Sequence, residues 1–280
     1  MSQEIILNKY QLICSLKNCN NLKNNGMVLA TSNTGKGKSV MLSWCLQRMC
    51  VKNAIMFCTS TLIPMWENYK EKYNLPILAI MSYETLRGVQ NSSDDVTLKH
   101  GLLIRKSNGT FEVTDLFKEL VEEGLVICAD ESQKFKNICD IEKAMRAMCT
   151  YIFDRRNMTP KPTELIGVYF NSTTPFDMDH HLVNFCYTLG IIKSNYLIEK
   201  ETDRMLGLKE LYDFCVTLDR QKTDNIIGTM SIRYRNAENI AYRLCIDVFL
   251  PIIASFVNKN KLTNEEIDNM IDELVETSQF

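Results

Sequence analysis

Ser32-Asn-Thr-Gly35-Lys-Gly37-Lys38-Ser39 is a polar, glycine-bearing loop between an apolar run, Met27-Val-Leu-Ala-Thr31, and a helical pattern, Val40 to Met49. Residues of these types in this order can hold phosphate groups. The glycines let backbone N–H groups turn inward, and a lysine reaches the β- and γ-phosphates. A serine hydroxyl meets magnesium, and the start of the helix adds positive potential. Roughly ninety residues later comes Val126-Ile-Cys-Ala-Asp130-Glu131-Ser-Gln133. An apolar strand that delivers two adjacent carboxylates at its carboxyl end can hold a metal and activate a water. Asp-Glu after a hydrophobic strand also suits a solvated turn. The phosphate loop upstream makes the chemical reading the stronger one.

Elements that would position these residues alternate along the first 175 positions. Short apolar runs at Met27–Thr31, Ala54–Cys58, Leu75–Met81, Leu125–Ala129 and Leu165–Phe170 are separated by helical patterns. Continuous apolar runs of this length suit strands buried on both faces of a parallel sheet. Leu102 to Val113 carries Asn108-Gly109 and predicts a surface hairpin with a type I′ turn, placed before a helix from Asp115 to Glu123. After Pro175 apolar residues recur at helical spacing: Leu206, Leu208, Leu211, Phe214, Cys215 and Leu218, then Ile240, Leu244 and Val248. Thr263-Asn-Glu-Glu266 predicts a capping box for a last helix with Ile267, Met270, Ile271 and Leu274 on one face. The expected fold class is α/β, a doubly wound, mostly parallel sheet with an inserted β-hairpin, followed by a helical C-terminal region.

Composition narrows the classes of function. The chain has 280 residues, 45% hydrophobic and 24% charged, which suits a packed globular protein rather than a disordered one. Lysine and arginine number 32 against 34 acidic residues, a net charge of −2. There is no global positive field, so any grip on nucleic acid must be a local groove. Eleven cysteines without a single Cys-x-x-Cys pair read as reduced thiols. The amino terminus shows no signal peptide, and the apolar run Val248 to Val257 is interrupted by Pro251 and too short to span a bilayer. The expectation is an intracellular protein without a membrane segment.

The ordered motifs resemble the first RecA-like lobe of superfamily-2 helicases, of the Snf-type and viral DExH branch. Ser32 to Ser39 is similar to motif I, A-x-x-G-x-G-K-T, with serine at the first position. Cys58-Thr-Ser-Thr-Leu-Ile-Pro-Met-Trp66 resembles motif Ia, with Thr59 in place of the usual proline. Ser82-Tyr-Glu-Thr-Leu-Arg87 is similar to the segment that follows motif Ia. Asp130-Glu-Ser-Gln-Lys-Phe-Lys136-Asn137 resembles motif II, with Gln133 where DEAH proteins have histidine. Asn171-Ser-Thr-Thr-Pro175 resembles motif III, and Tyr10-Gln11 the upstream element that reads adenine.

The resemblance implies a RecA-like ATP-binding lobe over 1–178 and a helical extension over 179–280 without a second RecA-like lobe. It implies ATP and magnesium as ligands: Tyr10, Gln11, Thr34, Gly35, Lys36, Gly37, Lys38 and Ser39 around the nucleotide, and Ser39 with Asp130 on the metal. Lys38, Asp130, Glu131 and Gln133 would be catalytic, with Glu131 taking the proton of the attacking water. Thr59, Ser60, Thr61, Ser82, Tyr83 and Thr85 would grip DNA or RNA. A partner bringing a second RecA-like lobe or an arginine finger would complete the site. Location would be the cytoplasm or nucleus, or a virus factory or virion for a viral chain. The alternative is a regulatory module that binds ATP or nucleic acid with little turnover. Trp66 reads as a core aromatic, Arg155-Arg156 as a solvated loop, and His180-His181 as a polar helix start. The sequons at Asn91, Asn108 and Asn171 carry no meaning in an intracellular protein.

Overall fold

The computed structural model describes residues 3–88, 94–160, 162–173, 176, 179–193, 201–233, 237–255 and 264–277. Thr174, Pro175, Lys161, Asp177, Asn91, Arg235 and Thr263 lie outside the described residues, as do the side chains of Asp179, His180, Ile267 and Leu274.

The chain opens with α1 (Lys9–Asn25), started by a reciprocal cap: the Asn8 side chain accepts from Gln11 N at 3.0 Å and Gln11 Oε1 accepts from Asn8 N at 3.1 Å. Then follow β1 (Met27–Ala30), α2 (Lys38–Arg48), β2 (Asn53–Cys58), α3 (Ile63–Tyr73), β3 (Ile77–Ser82) and the short α4 (Tyr83–Arg87). Next come β4 (Val96–Thr97), β5 (Leu103–Arg105), β6 (Phe111–Val113), α5 (Asp115–Glu122), β7 (Leu125–Asp130), α6 (Asp140–Asn157) and β8 (Gly167–Asn171). The five expected strands of the main sheet form, with ends shifted by one or two residues.

The main sheet has the order β3-β2-β7-β8-β1 and is parallel throughout. Alternate strand residues feed two apolar layers. Val28, Ala30, Met56, Cys58, Val126 and Cys128 pack with Leu42, Cys45 and Trp66 on one face. Leu29, Ile55, Phe57, Ile127, Ala129 and Phe170 pack on the other face against Met145, Met148, Phe117 and residues of the C-terminal helices. Burial on both faces explains why these strands read as unbroken apolar runs. The fold is the RecA-like α/β class.

The hairpin forms as a three-stranded antiparallel sheet, β4-β5-β6, with a different turn from the expected one. Only Gly109 of the Asn108-Gly109 pair has positive φ, at 78°. Gly109 N donates to Lys106 O at 2.9 Å and Lys106 N to Thr110 O at 2.9 Å, so a type I-like turn runs into a left-handed glycine. Asn108 is free of the left-handed region because its Oδ1 accepts from Thr110 N and Thr110 Oγ1.

Beyond β8 the described elements are α7 (Asp179–Thr188), α8 (Glu201–Leu218), α9 (Arg220–Arg233), α10 (Ala237–Leu244), a π-helical turn at Cys245–Phe249, α11 (Leu250–Ile253), β9 (Ala254–Ser255) and α12 (Asn264–Thr277). This region shares the core of the sheet. Phe170 meets Phe185 edge-on at 5.9 Å, and Phe153 and Phe249 flank Phe214 at 5.7 and 5.8 Å. Leu208, Leu211 and Cys215 are buried there, whereas Leu206 is 49% exposed. β9 was not visible in the sequence: it adds a sixth strand beside β1, pairing Leu29 with Ala254 and Ala30 with Ser255. Two residues leave no periodic signal inside the apolar run that surrounds them. No described helix is long and apolar enough to cross a membrane.

Candidate functional site

The parallel register brings the carboxyl ends of the strands into one row. Cys58 lies beside Ser82, Ala129 beside Phe57, and Asn171 beside both Asp130 and Ala30. The segments leaving this edge carry Lys38, Ser39, Asp130, Glu131 and Gln133, as expected for an open α/β sheet, while Tyr10 and Gln11 come from α1 ahead of the sheet.

After β1 the chain turns through the glycine-bearing loop into α2. Gly37 has φ 85°, a left-handed conformation that strains any residue with a Cβ, and a Cβ there would also push the Gln11 amide aside at 2.5 Å. Gln11 Nε2 donates to Lys36 O at 3.1 Å while its Oε1 stays in the α1 cap, which ties the loop to the first helix. α1 and α5 carry side-chain caps from Asn8 and Thr114. α2 has no side-chain cap and no acidic residue in its first turn. Its leading N–H groups and positive end remain available to an anion.

Lys38 Nζ donates to Ser32 O at 2.6 Å and to Thr173 Oγ1 at 2.9 Å, folded against its own loop. Burial lowers its pKa, opposed by the carboxylates of Glu131 and Asp130. Asp130 is 4% exposed. Its Oδ2 accepts from Trp66 Nε1 at 3.0 Å and Ser39 Oγ at 3.2 Å, and its Oδ1 from Asn171 Nδ2 at 3.4 Å. Burial raises its pKa; the three donors pull it back, and neighbouring Glu131 adds to the rise. Glu131 adopts left-handed φ 62°, ψ 48°, an uncommon conformation for a non-glycine residue and one that clusters at functional positions. Gln133 joins two segments: its Nε2 donates to Glu131 Oε2, and its Oε1 accepts from Ser172 Oγ at 2.6 Å. Ser39 Oγ and Asp130 are the hard oxygen donors a divalent cation takes, and Asn171 Oδ1 beside them is buried without a hydrogen-bond partner. The donor set fits magnesium and a polyphosphate.

The other expected residues spread along the same edge. Tyr10 is half-buried in the first turn of α1, and Thr34, Gly35 and Lys36 are exposed on the loop. Ser60, Thr61 and Thr85 are exposed, Thr59 and Ser82 half-buried, on adjacent loops after β2 and β3. Tyr83 departs from the expected grip. It is 1% exposed, its hydroxyl donates to Asp130 O at 2.7 Å, and its ring meets Phe135, so no strand can reach it. Trp66 is a core aromatic with a second property that sequence reasoning missed, the bond to Asp130. No local signal could have shown it, because the partner lies 64 positions away.

Arg155 and Arg156 end α6 rather than forming a solvated loop. Arg155 pairs with Glu122, and Arg156 donates to Ile166 O at 3.1 Å, Lys23 O at 3.0 Å and Asn24 O at 3.1 Å, closing the carboxyl end of α1. His181 is 3% exposed inside α7, with Nε2 at 3.0 Å from Asn137 Oδ1.

No protein-family model matches the chain. A protein of Acanthamoeba polyphaga mimivirus, named as a putative ATP-dependent RNA helicase, is 30% identical over 114 residues, which are 40% of this chain and 21% of that protein. The chain therefore spans about a fifth of that relative's length. The Sulfolobus solfataricus SWI2/SNF2 ATPase core in complex with dsDNA aligns at 14% identity and a TM-score of 0.44, over 69% of this chain and 38% of that one. The mimivirus match, falling on a chain whose motifs and sheet order already point the same way, supports a superfamily-2 helicase-like ATPase lobe.

Proposed function

We propose that the chain binds Mg-ATP in its 1–178 lobe, at a Walker A loop and DExH-like carboxylate pair, and hydrolyses it in response to DNA or RNA. One observation carries the reading: Lys38, Ser39, Asp130 and Glu131 converge at the carboxyl edge of the sheet, beside a helix start without a cap. Lys38 would exchange Ser32 O and Thr173 Oγ1 for phosphate oxygens. Ser39 and Asp130 would hold magnesium, which when bound supplies positive charge against the phosphates. Glu131 would orient a water and accept its proton, with Gln133 fixing the carboxylate. Gln11 would sit by the base. Thr59, Ser60, Thr61, Ser82 and Thr85 offer hydroxyls along adjacent loops, which suits gripping a strand by its backbone. Lys38 is the cation this lobe brings to the phosphates, so full turnover is proposed to need an arginine from a second lobe, on this polypeptide or a partner.

A second reading, a binding module with little turnover, is favoured by the present engagement of Lys38 with its own loop and with Thr173 after β8. One experiment separates them: nucleotide binding and steady-state ATP hydrolysis of the purified chain, with and without single- and double-stranded nucleic acid. Lys38→Ala loses ATP binding. Glu131→Gln keeps binding and loses at least about a hundredfold in turnover. Hydrolysis by Glu131→Gln at the parent rate overturns the assignment.

A further inference from the structure

We infer that Trp66 is a positioning residue for the magnesium-ligating carboxylate, joining the Thr59–Thr61 loop to Asp130; the inference rests on the proposed Mg-ATP site. Asp130 Oδ2 has two side-chain donors, and they differ in kind. Ser39 Oγ, at 3.2 Å, is a rotatable hydroxyl that must turn its lone pair outward to meet a cation. Trp66 Nε1, at 3.0 Å, belongs to a fully buried ring wedged among β2, β7 and α2 residues and held edge-on by Tyr69 at 5.7 Å. When Ser39 leaves for the metal, the indole N–H stays and keeps the carboxylate plane fixed.

The loop connection is equally short. Thr59 O accepts from Leu62 N at 2.9 Å, closing a single 3-10 turn that runs directly into α3, where Trp66 lies in the first turn. A displacement of the Thr59–Thr61 hydroxyls therefore reaches Asp130 through one rigid piece of helix. The second loop is built alike: Tyr83, next to Ser82, donates to the Asp130 main-chain oxygen at 2.7 Å. Two buried aromatics, each behind a segment assigned to strand contact, place their polar tips on one residue. Filling space needs neither tip. A buried N–H needs a partner, and here that partner is an ionisable carboxylate at the carboxyl edge of the sheet.

The test uses the full chain. The sequence holds two tryptophans, so Trp44→Phe leaves Trp66 as the sole emitter. In that background, with ADP present, Trp66 emission shifts as Mg²⁺ is added. In the parent background, Trp66→Phe keeps an aromatic ring at the site, at some loss of volume, and removes the donor. The Mg²⁺ concentration for half-maximal binding of a ribose-labelled fluorescent ADP rises about tenfold, while binding in EDTA stays at the parent value. A purely structural tryptophan would lower the melting temperature and leave the Mg²⁺ dependence at the parent value, and that result overturns the proposal. Should Trp66→Phe not fold, the emission titration decides alone, and emission indifferent to Mg²⁺ overturns it. A parent chain whose ADP binding ignores Mg²⁺ fails the Mg-ATP reading itself, and the role of Trp66 falls with it.

Discussion

Two buried carboxylates in this molecule began from the same physics and ended differently. Asp130 closes β7 and Glu142 lies in the first turn of α6; they are 4% and 0% exposed, and burial pushes the pKa of each upward. Asp130 meets three side-chain donors and borders the uncapped start of α2. Glu142 is sealed between α6 and α7. Its Oε1 accepts from Thr188 Oγ1 at 3.1 Å and lies 3.5 Å from Arg146 Nε, while its Oε2 has no hydrogen-bond partner. Arg146 is turned instead over the Tyr187 ring, 4.3 Å from its centroid. Neither burial nor an elevated pKa makes a carboxylate a site. What separates the two is their setting. Asp130 stands at the carboxyl edge of the sheet, beside a helix start free of acidic residues and a lysine that can exchange its partners for phosphate. Glu142 lies in the acidic first turn of α6 under α7.

The largest test of that comparison removes charge from each carboxylate with little change of shape. Asp130→Asn is expected to lower Mg²⁺-dependent nucleotide affinity by about a hundredfold, roughly 2.7 kcal/mol, since an amide is a poor ligand for a hard cation. Glu142→Gln leaves that affinity within about twofold. Calorimetric titration of ADP with and without Mg²⁺ reads both, and an equal loss in the two variants would break the comparison.

The sequence distinguishes these carboxylates only in part. Asp130 was legible because it follows a continuous apolar strand, precedes a second acid and comes after a phosphate-type loop; the acid pair alone suits a solvated turn equally well. Glu142 carried no signal, since one more glutamate in a helix is ordinary and its burial depends on where α7 packs. Lys38 and Ser39 were legible for the same local reason as Asp130. Trp66 and Tyr83 were not, because their polar tips find partners 64 and 47 positions away. The same limit explains the other differences. Gly109 alone takes the left-handed turn because the Asn108 side chain satisfies Thr110. β9 exists only because β1 offers it an edge.

A smaller effect concerns stability. At neutral pH Glu142→Gln removes a desolvated charge whose nearest cation sits at 3.5 Å, too far for a good hydrogen bond. Replacing poorly compensated buried ions by neutral groups is neutral to stabilising, so the variant should gain about 1 kcal/mol, or roughly 2–4 °C in melting temperature. A loss of stability at pH 7 would mean that the Arg146 contact outweighs desolvation.

The smallest effect is a slope, and its sign follows from the same carboxylate. Around Glu142, burial raises its pKa above the ordinary 4.5, while Arg146 and Lys143 from α6 and the Thr188 hydroxyl from α7 lower it. The native chain therefore binds the Glu142 proton more tightly than the unfolded chain does. Stability then falls as pH rises from the ordinary glutamate value through the raised one, by less than about 1.4 kcal/mol per pH unit for a single group. Above that window the destabilisation is complete, and below it absent. Glu142→Gln lacks this proton, so its gain over the parent should vanish near pH 4 and grow as pH rises through the raised value. Thermal melts of parent and variant across that range read the difference directly. A gain of equal size at both ends would show that Glu142 acts through packing rather than charge, and would leave Asp130, among the described residues, as the buried carboxylate whose ionisation matters.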